Sequence, residues 1–94
     1  MAEFNQVSGR DIGDIKVYAL STCGWCKKAK SFLSDHNIKH AYIDVDKLSG
    51  DDMEAIRKEQ LRHNPSGSFP TIVIGEDRCI IGYDADALKA LLEE

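Results

Sequence analysis

The sequence has few cysteines, no long apolar run and no excess of positive charge. Its 94 residues include only three cysteines and two prolines. That number of cysteines is too small, and odd, for a disulfide scaffold. No apolar run approaches the roughly 18 residues that would span a bilayer. The net charge is −4, from 16 acidic and 12 basic residues, which argues against a surface for nucleic acid or an anionic membrane.

The length and the N-terminal residues bear on the number of domains and on the location of the protein. Ninety-four residues predict one domain. The stretch MAEFNQVSGRD lacks the basic segment and apolar core of a secretory signal. We therefore expect a cytoplasmic protein whose thiols are kept reduced. Residues 1–13 are polar, contain Gly9 and Gly13 and show no period, so we predict a flexible or loosely packed extension before a domain over residues 14–94.

Hydrophobic patterning predicts seven elements in the order β-α-β-α-β-β-α. The first strand–helix–strand unit implies parallel pairing with a right-handed crossover. A late hairpin around Gly75-Glu76-Asp77 adds an antiparallel strand. We therefore expect an α/β fold with one mixed four-stranded sheet and three helices. The segments are, in chain order, IKVYAL, a helix from Gly24 to about His36, HAYIDV, a helix opened by Ser49, FPTIVIG, RCIIGY and a helix capped by Asp84.

Two cysteines, Cys23 and Cys26, stand three residues apart where the first strand ends and the first helix begins. A helix N-terminus carries unpaired N–H groups and roughly half a positive charge, which lowers the pKa of a nearby thiol. Thiolate is the attacking species in disulfide exchange. The position therefore predicts a dithiol–disulfide redox pair with Cys23 as nucleophile. Cys26, one turn further in, is predicted to be more buried and to resolve the mixed disulfide.

The residues around the pair allow two interpretations each. Trp25 either offers an apolar platform to a partner or packs in the ordinary way. Lys27 and Lys28 either add a positive field or are simply solvated, and screening favours the second. His36 and His40 flank a turn and are predicted to be solvated. His63 either lies at the surface or approaches the substrate groove.

A metal site is the main alternative to redox chemistry. Two thiolates supply only half of a tetrahedral zinc site. The remaining candidates, Cys79 and the three histidines, show no ligand spacing. Cys79 lies in the apolar run RCIIG and is predicted to act as a small buried hydrophobic residue. Metal or iron–sulfur binding is therefore the less favoured hypothesis.

Three motifs together resemble the glutaredoxin-like members of the thioredoxin superfamily. They are Cys23-Gly24-Trp25-Cys26 after the first strand, Phe69-Pro70 before the third strand and Gly82-Tyr83-Asp84 before the last helix. The resemblance extends from Ile15 to Glu93 and implies a thioredoxin-like (glutaredoxin) fold. It also implies a cis Pro70 that faces the cysteine pair. The substrate-binding residues expected from these motifs are Trp25, Phe69, Pro70, Gly82 and Tyr83.

Departures from the family pattern bear on the reductant. Glutaredoxins that use glutathione commonly carry Pro-Tyr between the cysteines and a lysine three residues before the first. Here the dipeptide is Gly-Trp and the upstream residue is Leu20. The usual Gly-Gly before the last helix is Gly82-Tyr83. The spacing from Gly82 through Asp86 to Leu88 looks more like the redoxins that serve ribonucleotide reductase and take electrons from a reductase, whose dipeptide between the cysteines also differs from Gly-Trp.

The resemblance leads to a set of expectations about partners. We expect a monomer without a bound cofactor that reduces protein disulfides, ribonucleotide reductase among the candidates. The stretch NPSGSFPTIVIG is similar to small glutaredoxin-like proteins of anaerobic microbes, which implies a flavin- or ferredoxin-dependent disulfide reductase as electron donor. Such a protein would serve electron transport and cell redox homeostasis. The alternatives are a glutathione-dependent glutaredoxin and, less favoured, an iron–sulfur cluster shared across a dimer with glutathione supplying the remaining thiols.

Overall fold

The computed structural model describes residues 3–75 and 78–92. The predicted hairpin residues Glu76 and Asp77 lie outside the described residues, as does Glu93. The elements are β1 (Asn5–Val7), β2 (Ile15–Ala19), α1 (Gly24–Asp35), β3 (His40–Asp44), a 3₁₀ turn (Val45–Lys47), α2 (Gly50–His63), β4 (Thr71–Ile74), β5 (Arg78–Ile81) and α3 (Ala85–Leu91).

The strands form one mixed sheet in the order β1-β3-β2-β4-β5. Strands β2 and β3 are parallel and are joined through α1, whereas the other pairs are antiparallel. This arrangement confirms the predicted α/β fold and its three helices. The sheet has one strand more than the four predicted, because β1 pairs with the outer edge of β3.

Alternation along β2 produces two core layers. Ile15, Val17 and Ala19 belong to the layer that also contains the buried residues of α1 and α3. Tyr18 points to the other side, where it packs with Ile56 of α2. Helices α1 and α3 therefore cover one face of the sheet and α2 covers the other.

The N-terminal segment contacts the domain at several points. Phe4 packs edge-on against Tyr18, with ring centroids 5.6 Å apart. Arg10 forms a parallel bridge with Ile38, and its N–H donates to the Asn37 carbonyl at 2.7 Å. Gly9 approaches the same turn so closely that a Cβ there would lie 2.6 Å from the Ile38 carbonyl carbon. Residues 4–10 thus pair with the sheet and with the turn between α1 and β3.

No helix in the described part of the chain combines the length and apolar character needed to cross a membrane.

Candidate active site

Cys23 takes the N-cap position of α1. Its φ and ψ are −86° and 119°, in the extended region that an N-cap residue requires. Its Sγ accepts a hydrogen bond from the Cys26 N–H at 3.2 Å. A thiol therefore occupies the place usually held by a serine or aspartate oxygen, and its sulfur faces the unpaired donors of the helix.

The surroundings of Cys23 lower the pKa of its thiol. Partial burial opposes ionisation, but hydrogen bonds from the Cys26 thiol and from the Cys26 and Trp25 N–H groups outweigh it, with a contribution from the charge of Lys30. Cys23 remains half-buried. A partly exposed thiol with a lowered pKa can reach a substrate as thiolate.

Cys26 has the opposite character. It is completely buried in the layer between α1 and the sheet. The Leu20 N–H lies 3.5 Å from its Sγ as donor. Burial, together with the hydrogen bond to Cys23, raises the pKa of Cys26 to about 12. All three cysteines are free thiols in the structure.

The loop before Cys23 is held from the carboxyl end of β3. Asp46 accepts hydrogen bonds from the Ser21 N–H at 2.8 Å and from the Ser21 hydroxyl at 2.5 Å. These bonds lower the pKa of the Asp46 carboxyl, which therefore stays ionised. Asp46 was absent from the residues predicted for the site.

The Phe69–Pro70 peptide bond is cis, as the resemblance implied. Pro70 is fully buried immediately before β4, and its carbonyl accepts a hydrogen bond from the Gly82 N–H at 2.8 Å. Gly82 has φ of 76°, a conformation that favours glycine. Phe69 and Cys23 both pack against the core layer of α1 and α3. The structure thus joins the second and third predicted motifs directly, through the bond between Pro70 and Gly82.

Trp25 and Tyr83 form an aromatic pair at the surface. Their rings stack with centroids 5.9 Å apart and an interplanar angle of 23°. The Lys28 ammonium lies 4.7 Å from the centroid of the Trp25 ring. Trp25 is nevertheless 58% exposed. An exposed aromatic pair next to a reactive thiol can contact the apolar part of a substrate.

The loop that leads to Pro70 rests on a buried polar network. Gln60, Asn64 and Thr71 are fully buried. The Asn64 amide donates to the Thr71 hydroxyl at 2.9 Å and to the Ser68 carbonyl at 3.3 Å, and the Gln60 amide donates to the same two oxygens. On α2 the polar Gln60 is therefore buried, while its apolar neighbour Leu61 is 39% exposed.

The histidines and the third cysteine lie outside this site. His40 is buried, with its Nδ1 2.8 Å from the Ile38 carbonyl oxygen, so the prediction that it is solvated is wrong. It starts β3, which lies between β1 and β2 in the sheet. His36 is exposed beside Phe32, and His63 is half-buried. Cys79 is half-buried in β5, and burial raises the pKa of its thiol. Among the described residues, no cluster of three or more histidine, cysteine or acidic side chains could hold a metal ion.

Comparisons with known proteins agree with this geometry. The sequence profile of the glutaredoxin family matches residues 15–79. An uncharacterized glutaredoxin-like 8.6 kDa protein in the rubredoxin operon of Clostridium pasteurianum is 31% identical over 80 residues, which is 85% of this chain and 99% of that protein.

Two solved structures are similar over nearly the whole chain. The glutaredoxin from Methanosarcina mazei Go1 is 41% identical, with a TM-score of 0.86 over 96% of this chain and 88% of the other. Methanoredoxin from Methanosarcina acetivorans is 37% identical, with a TM-score of 0.87 over 92% of this chain and 90% of the other.

Proposed function

Because the chain belongs to the glutaredoxin family of thiol–disulfide oxidoreductases, we propose that it reduces protein disulfides through Cys23 and Cys26 in the manner of a thioredoxin. The observation that carries the proposal is the asymmetry of the pair. Cys23 is half-buried with a lowered pKa, and Cys26 is buried with a pKa raised to about 12. Cys23 is thus available as a thiolate for the first attack, while Cys26 stays protonated until the second step.

The proposed reaction has two steps. The Cys23 thiolate attacks one sulfur of a substrate disulfide, the substrate S–S bond breaks, and the leaving thiolate takes up a proton. The Cys26 thiol then loses its proton and attacks the Cys23 sulfur. The mixed disulfide breaks, the second substrate thiolate is released and protonated, and a Cys23–Cys26 disulfide remains. Two electrons and two protons pass to the substrate, so a separate reductant must restore the dithiol.

The remaining site residues would hold the substrate. The hydrogen bond between Pro70 and Gly82 holds two backbone segments side by side. An extended substrate can pair with free backbone groups along a groove formed by such segments. Phe69 precedes Pro70 in the same segment and would line the groove. Trp25 and Tyr83 would contact apolar side chains next to the substrate cysteine.

The residue at position 20 supports a reductase rather than glutathione as electron donor. Leu20 is uncharged, whereas a lysine there would meet a glutathione carboxylate. The donor we propose is a flavin- or ferredoxin-dependent disulfide reductase, and the relative in a rubredoxin operon is consistent with a role in electron transfer. We propose a cytoplasmic monomer that needs no bound cofactor, because the electrons reside in the thiols. Ribonucleotide reductase is one candidate substrate.

Reduction of a protein disulfide with two different reductants tests the function. We expect fast turnover with dithiothreitol and slow turnover with glutathione plus glutathione reductase. Efficient turnover with glutathione would overturn the thioredoxin-like assignment and favour a glutathione-dependent glutaredoxin. A visible absorbance band in the anaerobically purified protein would favour the iron–sulfur alternative.

Serine variants test the order of the two cysteines. Cys23→Ser should abolish turnover, whereas Cys26→Ser should accumulate a mixed disulfide with the substrate that mass spectrometry detects. Cys79→Ser is the matched control and should keep turnover. If Cys26→Ser traps no mixed disulfide, the assigned roles are incorrect.

A further inference from the structure

Lys30 on α1 forms an ion pair that the proposed reaction has not yet used. Its Nζ lies 2.8 Å from Oδ1 of Asp44, and only 21% and 14% of the two side chains are exposed. The Lys30 ammonium also lies 4.2 Å from the centroid of the Tyr42 ring. Two contacts from β3 therefore hold the cation in one place, whereas an exposed lysine would sample many positions.

The fold directs this cation towards the dithiol. Lys30 follows Cys26 by four residues on α1, which puts their Cβ atoms about 5–6 Å apart on one helix face. Side chains of a helix lean towards its N-terminus, so Lys30 extends back towards the turn that holds the cysteines.

The sheet register brings Asp44 to the same end of the molecule. Asp44 is the parallel partner of Ala19 at the end of β2. The next residue is Leu20, whose N–H is the donor to Cys26 Sγ. The ion pair therefore lies between α1 and the strand ends from which the cysteine loop departs.

We propose that Lys30, fixed by Asp44 and Tyr42, is a positioning residue that stabilises the thiolate forms of Cys23 and Cys26. It does so by its charge, without touching the substrate. The charge of Lys30 contributes to a lower pKa at both cysteines, in agreement with the geometry. For Cys26 this matters in the second step, when a buried thiol must lose its proton.

Other ionisable groups belong to the elements that meet near the dithiol and must be considered. They are Lys27 and Lys28 on α1, Asp44 at the end of β3, Asp46 in the following 3₁₀ turn, and Tyr83 and Asp84 before α3. Lys27 is exposed, and solvent screens an exposed charge strongly. Lys27 therefore provides the matched control on the same helix.

The rate of Cys23 alkylation by iodoacetamide as a function of pH tests the inference. In a Cys79→Ser background, Lys30→Met should move the midpoint of the profile to higher pH by about 0.5–1 pH unit, and so lower the rate about three- to tenfold at pH values below that midpoint. Lys30→Arg keeps the charge and should restore the rate, and Lys27→Met should change it less. A Lys30→Met rate equal to that of the parent, or to that of Lys27→Met, would overturn the inference.

Lys30→Met also leaves the Asp44 carboxylate without its cation, and this could by itself disfavour a thiolate. The double variant Lys30→Met/Asp44→Asn removes both charges. If Lys30 acts directly, the double variant still reacts more slowly than the parent. A double variant that reacts at the parent rate would show that the uncovered carboxylate caused the effect, and the inference would fail.

The equilibrium with dithiothreitol redox buffers gives a second measurement. Loss of thiolate stabilisation weakens the reduced form, so the midpoint potential of Lys30→Met should become more negative. The inference rests on the proposed role of Cys23, and the parent protein separates the two failures. If Cys23 of the parent reacts like an ordinary thiol, the proposed function fails. If the parent is reactive and Lys30→Met is unchanged, only the role of Lys30 fails.

Discussion

At the scale of single residues, two chemically identical thiols differ because of where the backbone puts them. Cys23 caps a helix and Cys26 lies inside it, three residues apart. The hydrogen bond from the Cys26 N–H and the helix end favour a thiolate at the first position. Complete burial disfavours one at the second. The division of labour proposed for the pair thus follows from a one-turn displacement along α1.

The raised pKa of Cys26 predicts how the stability of the reduced protein depends on pH. The pKa of this thiol rises from an ordinary value of 9.0 to about 12 on folding. Above pH 9 the unfolded chain loses this proton while the folded chain keeps it, so the free energy of unfolding falls as pH rises. We expect a loss of about 1 kcal/mol between pH 9 and 10, measured by urea unfolding in excess reductant.

Controls for this measurement follow from the neighbouring groups. The lowered pKa of Cys23 acts below pH 9, where it adds stability as pH rises, so it does not produce the loss. Burial and the Glu59 carboxylate also raise the pKa of the Tyr18 hydroxyl, but that group ionises in the unfolded chain only near pH 10. Burial also raises the pKa of the Cys79 thiol, so the comparison is made in a Cys79→Ser background, where Cys26→Ala should flatten the slope between pH 9 and 10. An unchanged slope would assign the pH dependence to other groups.

At the scale of the elements, two helices predicted to start in the same way differ in the structure. The Asp84 carboxylate accepts a hydrogen bond from the Ala87 N–H at 3.1 Å and caps α3. Within the described residues, the Ser49 side chain makes no such bond at the start of α2. Asp84→Ala should therefore lower the free energy of unfolding by about 0.5–2 kcal/mol, measured by urea titration.

Ser49→Ala is the matched control and should cost less than about 0.5 kcal/mol. Asp84→Asn retains an oxygen that can accept the Ala87 N–H and should recover most of the loss. Equal losses for Asp84→Ala and Ser49→Ala would contradict the assignment of the α3 cap.

The loop between α2 and β4 makes a second prediction at this scale. Asn64 donates to Ser68 and Thr71 and accepts from the Ser66 hydroxyl at 2.6 Å. Asn64→Ala removes these bonds inside a fully buried site and should lower the free energy of unfolding by about 1–3 kcal/mol. It should also raise KM for a protein disulfide, because the loop leads into Phe69 and Pro70. Ser66→Ala, at an exposed position, should have a much smaller effect on both.

The elements that could be predicted from the sequence are those whose own residues show a clear composition or apolar pattern. Strand β2 is rich in β-formers and α1 has a one-sided apolar face, and both were expected within a residue or two of their bounds. The cysteine pair was predictable because its chemistry depends on one strand-to-helix junction. Gln60 was harder, since a polar residue at an inner position is explained only by the partners that folding brings to it.

The part of the site that could not be predicted depends on tertiary register. In the sequence, Lys30 differs from the nearby Lys27 and Lys28 of α1 by its spacing of four from Cys26. Its partner Asp44 lies 14 residues further along the chain. The parallel pairing of Ala19 with Asp44 puts Asp44 at the end of β2, where Lys30 reaches it. No sequence pattern specifies that register.

At the scale of the whole molecule, strand β1 extends the sheet beyond the predicted domain of residues 14–94. The segment Asn5-Gln6-Val7 has neither β-rich composition nor alternation, so it has no strand signal of its own. It pairs with β3, and Phe4 covers Tyr18. Its contacts lie at the edge of the sheet away from β4 and β5. This edge strand is therefore expected to support stability and solubility rather than catalysis.

A chain that starts at residue 14 tests whether the N-terminal segment supports stability rather than catalysis. We expect it to fold and to retain most disulfide reductase activity, with a free energy of unfolding lower by about 1–3 kcal/mol because the Tyr18 ring and the bridge to Ile38 are uncovered. The unpaired edge of β3 should also make it more prone to aggregate. In the full chain, Gly9→Ala should act in the same direction, because its methyl group would collide with the Ile38 backbone. Loss of kcat in proportion to the folded fraction agrees with a stabilising role, whereas a loss of kcat in fully folded protein would give residues 1–13 a part in the reaction.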